Sequence, residues 1–195
     1  QSTLQLNAGS EVVYPTNFSE NRRLQLQGEA FFDVEPGSPF VIETGAGQVE
    51  VLGTSFNVYQ READFRVVCV SGRVRVTPDA GEAVILTAGD GVFFAGGQAE
   101  AVAPAQLQAE TAWRDGRYAF EGAPLAEVFA ELERQFDLEL RWPAEVAAAT
   151  YTGHFTRDSV EEALYSVCWP MGLDFEATGN NTYRIYPAAE REGSL

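Results

Sequence analysis

Short runs of alternating apolar and polar side chains fill residues 4 to 103, and this pattern limits the first half of the chain to β-structure. Turn signals rich in glycine and proline separate the runs, and from Phe65 onward they recur every eight to ten residues. This spacing is typical of a meandering antiparallel sandwich, roll or solenoid. We therefore predict an all-β domain with no helix in this half.

Two segments of this half are unusual, residues 28–34 (GEAFFDV) and residues 51–58 (VLGTSFNV). Alternate residues of the first segment share a face, which predicts a strand with one face fully buried and the other partly buried. In the second segment, Gly53 interrupts an apolar run. A glycine at such a position indicates a strand bulge, or another backbone that comes too close for a side chain.

The pattern changes after residues 105–112, a polar, alanine-rich stretch that we interpret as a linker. After a strand at 117–120, apolar residues recur at helical spacing from Leu125 to Phe136, with Pro124 at the expected first helical position. The same order then repeats. The further predicted elements are strands at 137–142 and 151–155, a helix at 160–167 that follows a capping-box sequence, and strands at 173–177 and 182–186.

The predicted fold class is therefore multi-domain, β plus α/β. The predicted boundaries are an all-β domain at residues 1–104, a linker at 105–112, a small βαβ-βαβ domain at 113–187 and a C-terminal tail at 188–195.

The two segments, with PFVIET at 39–44 and VSGRVRV at 70–76, resemble the signature of the FecR family. Members of that family are anti-sigma regulators of the bacterial inner membrane. The resemblance covers residues 4 to 95 and implies a FecR-type domain outside the cytoplasm. The duplicated plan at 113–187 is similar to the secretin and TonB short N-terminal (STN) domain, the periplasmic signalling module of TonB-dependent receptors.

The resemblance implies the periplasmic portion of a single-pass inner-membrane protein. It would receive a signal from a TonB-dependent outer-membrane receptor and control an extracytoplasmic-function sigma factor. The expected partners are the periplasmic signalling domain of that receptor and the sigma factor. We expect a cytoplasmic sigma-binding segment and a single membrane helix upstream of Gln1, so contact with the membrane would be made only through that helix.

The final strand of the α/β domain is predicted to be an open edge that accepts a partner's strand through main-chain hydrogen bonds. Its residues, predicted to bind the partner, are Thr182, Tyr183, Arg184, Ile185 and Tyr186.

Charge excludes two classes of partner. The formal net charge is −16, and all thirteen basic residues are arginine. Such a surface repels phosphate backbones and anionic lipid, so nucleic acid and the membrane surface are not expected as partners. No apolar run approaches the roughly 18 to 20 residues that span a bilayer.

Few residue patterns favour catalysis. His154 is the only histidine, which excludes multi-histidine metal sites such as those of cupins or zinc hydrolases, and no cofactor is expected. Cys69 and Cys168 are predicted to be small buried hydrophobic residues in different domains, which argues against a disulfide bond between them. The helical carboxylates are expected on solvated faces, at Glu127, Glu131, Glu133, Glu161 and Glu162.

One chemical possibility comes from the resemblance. Some FecR-type regulators cleave their own chain at a Gly-Thr bond by attack of the threonine hydroxyl on the preceding carbonyl, and Gly53 and Thr54 lie in a matching context. A structural bulge glycine is the favoured interpretation, so we predict a protein that is not an enzyme.

Two alternatives remain open. A secreted β-rich carbohydrate-active enzyme would show a deep pocket with paired carboxylates. A polymer-binding module would show several exposed aromatic side chains on one face.

Overall fold

The computed structural model describes residues 2–18, 20–95, 98–104 and 106–189, and the chain divides into two compact units, residues 1–114 and 115–195. The sequence prediction began the second domain at Trp113, whereas the structure groups residues 106–114 with the first unit. Of the predicted tail, residues 190–195 lie outside the described residues.

The first unit is built from strands, as the alternating pattern predicts. Its strands are β1 (Thr3–Leu6), β2 (Glu11–Val13), β3 (Arg23–Val34), β4 (Phe40–Thr44), β5 (Gly47–Val51), β6 (Thr54–Arg61), β7 (Asp64–Ser71), β8 (Arg73–Pro78), β9 (Val84–Thr87), β10 (Gly91–Ala95) and β11 (Gln98–Ala101). A single-turn helix, α1 (Ala109–Ala112), and a 3-10 turn at Trp113–Asp115 follow.

These strands form one 11-stranded sheet in the order β11-β10-β7-β6-β3-β4-β5-β8-β9, with β1 and β2 both paired to β3. The sheet is antiparallel except for the short parallel pair of β3 and β4. The 12-residue strand β3 organises it, because its first half pairs with β2 and β4 and its second half with β1 and β6. Among the predicted arrangements, a sheet that curls around its own core corresponds best to the roll.

The core of this unit lies on one face of the curled sheet. Phe32 and Phe56, which come from the two unusual segments, are each 0% exposed and stack with their ring centroids 5.2 Å apart. They are directly opposite each other in the β3–β6 register. The two segments therefore form the structural centre of the β-domain, and the predicted buried strand face is confirmed.

The second unit contains the predicted duplicated order of strands and helices. Its elements are β12 (Arg117–Pro124), α2 (Leu125–Phe136), β13 (Glu139–Arg141), β14 (Thr150–Thr156), α3 (Val160–Cys168), β15 (Leu173–Gly179) and β16 (Thr182–Pro187). The first strands of the two repeats, β12 and β14, pair antiparallel. A separate three-stranded sheet has the order β13-β16-β15, with β13 parallel to β16.

Local sequence explains where the helices of the second unit begin and end. Pro124 is the N-cap of α2, one position before the first helical residue, and α2 ends where Asp137 adopts a left-handed conformation. Ser159 caps α3 by accepting a hydrogen bond from the backbone N–H of Glu162 at 3.4 Å. No helix of the described ranges is long and apolar enough to span a membrane.

The two cysteines are buried, unbonded and located in different units, in agreement with their predicted structural role. Burial is the main cause that raises the pKa of the Cys69 thiol to about 11 and that of the Cys168 thiol to about 12, with smaller contributions from Asp90 and Asp174. Both thiols therefore stay protonated and unreactive at neutral pH.

This burial predicts a loss of stability in alkaline solution. Above the ordinary thiol pKa of 9.0 the unfolded chain releases protons that the folded chain keeps, so the free energy of unfolding falls as pH rises towards about 11 or 12. The slope is up to about 1.4 kcal/mol per pH unit for each thiol. Urea unfolding at about pH 8 and about pH 10.5 measures this fall in the free energy of unfolding. Cys168→Ala should flatten the pH dependence of the second unit, and an unchanged slope in that variant would contradict the assignment.

Candidate functional site

The polar residues of the two unusual segments meet inside the first unit. Glu29 on β3 and Asn57 on β6 are only 6% and 1% exposed, although each belongs to the face that the alternating pattern leaves partly covered. Asn57 donates from Nδ2 to Glu29 Oε1 at 2.8 Å, and Asn7 donates from Nδ2 to Glu29 Oε2 at 2.7 Å. A buried carboxylate is costly unless it is hydrogen-bonded, and here each oxygen accepts an amide N–H.

Trp113 completes this network from a distant part of the chain. Its indole Nε1 donates to Asn57 Oδ1 at 3.2 Å, and the side chain is buried. Asn57 thus uses its amide N–H on the carboxylate and its carbonyl on the indole, which also fixes the orientation of the amide group. We call the connected residues Asn7, Glu29, Asn57 and Trp113 the polar network.

The segment around Trp113, residues 106–114, lies on the face of the sheet that carries Glu29 and Asn57. We call it the docking segment. Glu110 forms an ion pair with Arg66 at 3.0 Å, and the Arg66 guanidinium lies 4.1 Å from the Tyr59 ring centroid. At the other end the Arg114 guanidinium lies 3.6 Å from the Phe31 ring centroid. The contacts that hold the docking segment include the hydrogen bond to Asn57, the ion pair, the cation–π contact and a hydrogen bond from Gln5 Nε2 to the Arg114 carbonyl.

Electrostatics keep Arg66 charged in this half-buried position. Burial lowers the pKa of Arg66, but the negative charges around it, Glu110 foremost, outweigh that effect and leave the pKa raised. A group that remains ionised can hold the docking segment at any physiological pH.

The docking segment explains why residues 113 and 114 belong to the first unit. A local reading of the sequence places Trp113 at the start of the next domain, because the contact between Trp113 and Asn57 joins residues 56 positions apart. The local sequence carried no signal for this contact, because Glu29 and Asn57 belong to the strand faces that the alternation leaves partly covered.

The arrangement does not provide the pair of acids that a glycosidase uses. The buried carboxylates of the described residues are Glu29 and Glu131, and they belong to different units. Burial of Glu131 corrects the expectation that it is solvated: Arg134 and Gln135 on the same helix bind its two oxygens. Two depressions on the first unit, of about 430 and 320 Å³, are open to solvent. Within the described ranges, no cluster of three or more metal-ligating side chains occurs.

Gly53 and Thr54 occupy a tightly packed corner at the start of β6. A Cβ on Gly53 would lie 2.8 Å from Pro36 Cα, so the expected close approach of another backbone is confirmed. Thr54 is buried, and its hydroxyl donates to the backbone carbonyl of Arg73 at 2.9 Å. The same hydroxyl oxygen accepts from the Arg73 backbone N–H at 3.4 Å, so Thr54 both donates and accepts within the fold, as a structural residue does.

We therefore keep the prediction that the chain stays intact. Intact-mass spectrometry of purified protein after several days should show one species, with Thr54→Ala as the matched control. Quantitative cleavage between Gly53 and Thr54 in the parent, abolished in that variant, would contradict the prediction.

The predicted edge strand has a different position in the structure. Thr182, Tyr183, Arg184, Ile185 and Tyr186 lie in β16, the middle strand of the three-stranded sheet. Its main chain pairs with β13 on one side and β15 on the other, so the prediction of an open edge there is wrong. Strand order within a sheet depends on tertiary packing, which the local sequence pattern does not contain. The role of these five residues in partner binding remains a prediction.

The second unit exposes an aromatic pair that the sequence analysis did not single out. Tyr165 and Trp169 are 55% and 68% exposed, and their rings stack with centroids 5.5 Å apart. They are four residues apart. Tyr165 is on α3, away from its buried residues Ala163, Leu164, Val167 and Cys168, and Trp169 begins the 3-10 turn Trp169–Met171 that follows. The available signal was Tyr165 on the polar side of the predicted helix, with Trp169 four residues later, just beyond its end.

Comparison with known proteins assigns both units. A family model described as FecR protein matches residues 1–75, and one described as FecR, C-terminal matches residues 117–185. A EutQ-like cupin domain model also matches residues 46–114, a range that contains no histidine. No protein of the curated set matches.

Two crystal structures from Parabacteroides distasonis ATCC 8503, at 1.65 and 2.50 Å resolution and each of a candidate anti-sigma factor, are similar to this chain. Both are 27% identical in sequence, with TM-scores of 0.82 and 0.83. Each alignment covers 95% of this chain, and 90% and 89% of the respective neighbour. Because the two units match the two parts of the family in chain order, the chain belongs to the FecR family of anti-sigma factors.

Proposed function

We propose that this chain is the periplasmic signalling region of a single-pass anti-sigma regulator. In this proposal it receives a signal from a TonB-dependent outer-membrane receptor and controls an extracytoplasmic-function sigma factor. The observation that carries the proposal is the ordered match of both units to the FecR family, together with a structural neighbour that covers 95% of the chain. The sigma factor would be bound by a segment outside residues 1–195.

The second unit is the proposed receiver of the signal. Its duplicated order of strand, helix and strand supports the likeness to the STN module, with β12 paired to β14 and β13 to β16. Among its described strands, β13 and β15 are the outer members of the three-stranded sheet, and β12 and β14 form a two-stranded sheet. The strand edges of this unit are therefore formed by these outer strands and not by β16.

The docking segment is the proposed link between the signal and the first unit. It is the part of the first unit that leads directly into Asp115, where the second unit begins. Its contacts reach β3 and β6 through the polar network, and Gln5 on β1 donates from Nε2 to the Arg114 carbonyl at 3.5 Å. A force or displacement on residue 114 would therefore act on the strands that contain the family segments.

A transcriptional reporter tests this function in cells. When the TonB-dependent receptor encoded beside the regulator gene (the adjacent receptor) binds its ligand, sigma-dependent transcription should change. We expect deletion of the regulator gene to abolish that change. The full gene should restore it, and the gene carrying the surface change Asn17→Ala should restore it equally. A normal ligand response in the deletion strain would contradict the proposal.

A further inference from the structure

The exposed face of α3 and the turn that follows it form one continuous surface on the second unit. Residues 161–170 alternate in pairs between buried and exposed, and the exposed pairs are Glu161 and Glu162, Tyr165 and Ser166, and Trp169 and Pro170. This surface, which we call the α3 face, has two carboxylates at one end and a tryptophan at the other.

We propose that the α3 face is a docking surface for a protein partner that carries an apolar pocket bordered by arginine or lysine. The inference rests on the proposed function, in which the second unit receives a protein partner. It assigns the contact to the helix face instead of a strand edge.

The aromatic pair is suited to serve as the anchor of an interface. Tryptophan and tyrosine are enriched among the residues that contribute most to binding energy, because they bury a large area with few rotatable bonds. Here the stacking of the two rings, at an interplanar angle of 18°, restricts both side chains before any partner binds. Such preorganisation reduces the entropy lost on association.

The rest of the α3 face indicates the charge of the partner. Glu161 and Glu162 lie in the first turn of α3, and Ser166 is the polar residue between them and Trp169. The chain as a whole carries a net charge of −16, so a second copy of the chain would be repelled. A partner with a basic border would instead be attracted, and the association would weaken as salt increases.

The stacked geometry also argues against a polysaccharide as the occupant. A sugar ring packs against the open face of an aromatic ring, and stacking covers one face of each ring in this pair. Tyr165 and Trp169 are the strongly exposed large hydrophobic residues among those described in the second unit. The extended row of aromatic side chains expected of a polymer-binding module is therefore not seen in the described residues.

Isothermal titration of the full chain against the periplasmic signalling domain of the adjacent receptor tests the inference. Trp169→Ala should weaken binding about tenfold or more, since the side chain is an interface anchor. Tyr14→Ala is the matched control, because Tyr14 is also an exposed aromatic residue in an aromatic pair, and it should leave affinity within about twofold. The double variant Glu161→Arg and Glu162→Arg should weaken binding and reduce its salt dependence.

The outcomes separate this inference from the proposed function. Both Trp169→Ala and the parent should melt at closely similar temperatures, because the backbone bonds of Trp169 to Tyr165 and Gly172 do not need the side chain. Equal affinity of the parent and Trp169→Ala would overturn the α3 face and leave the proposed function standing. No binding by the parent would overturn both. Binding of soluble peptidoglycan fragments that is lost in Trp169→Ala would show a polymer as the occupant and overturn the protein partner.

Discussion

Replacement of Asn57 by alanine is expected to reduce the free energy of unfolding of the first unit by roughly 3 to 5 kcal/mol. The variant removes the amide that donates to Glu29 Oε1 and the carbonyl that accepts from Trp113 Nε1. A buried carboxylate then loses one of its amide donors, and a buried indole N–H loses its acceptor. Urea unfolding measures the loss, with Asn17→Ala as the same change at an exposed turn position, expected within about 0.5 kcal/mol of the parent.

The same variant should release the docking segment. Hydrogen–deuterium exchange of residues 106–114 should become faster in Asn57→Ala, because one of the contacts that hold the segment is gone. Arg66→Gln, which removes the ion pair with Glu110, should show a smaller effect in the same peptides. Unchanged stability together with unchanged exchange in Asn57→Ala would show that the polar network does not hold the segment.

Replacement of Phe32 by alanine is expected to cost about 3 to 5 kcal/mol, since it leaves a large cavity in a fully buried site. Phe32 stacks on Phe56 and also contacts Phe40 edge-on at 6.0 Å between ring centroids, so two aromatic neighbours lose packing at once. Many domains are stable by only about 5 to 15 kcal/mol, and such a change unfolds a marginal one.

Ile85→Ala provides the control for Phe32→Ala, because Ile85 is a large hydrophobic residue of the same unit that is 47% exposed. It should cost much less, about 1 kcal/mol or below. A loss below about 1 kcal/mol in Phe32→Ala would mean that the family segment is not the structural centre of the β-domain.

Local sequence signals predicted the secondary structure well. Alternation predicted the strands of residues 4–103, and the helical spacing from Leu125 to Phe136 predicted α2 almost to the residue. Of the two interpretations of Gly53, a strand bulge or a close approach of another backbone, the second is confirmed, because only the absence of a side chain allows Pro36 to lie so near. In each case the deciding physics acts within a few residues of the signal.

The features that the sequence did not predict all depend on contacts between distant residues. Glu29 was assigned to a partly buried strand face, but it is buried with hydrogen bonds from Asn7 and Asn57, which are 22 and 28 positions away in the chain. The central position of β16 follows from its parallel pairing with β13, more than forty residues earlier in the chain.

We propose that this FecR-family chain receives its signal by binding the periplasmic signalling domain of a TonB-dependent receptor. Titration calorimetry of the full chain against that domain tests the proposal, with the equivalent domain of an unrelated TonB-dependent receptor as the control. We expect saturable binding to the domain of the adjacent receptor, weaker at high salt, and no binding to the control. Absence of binding to the adjacent receptor's domain, or equal binding to both domains, would contradict the account.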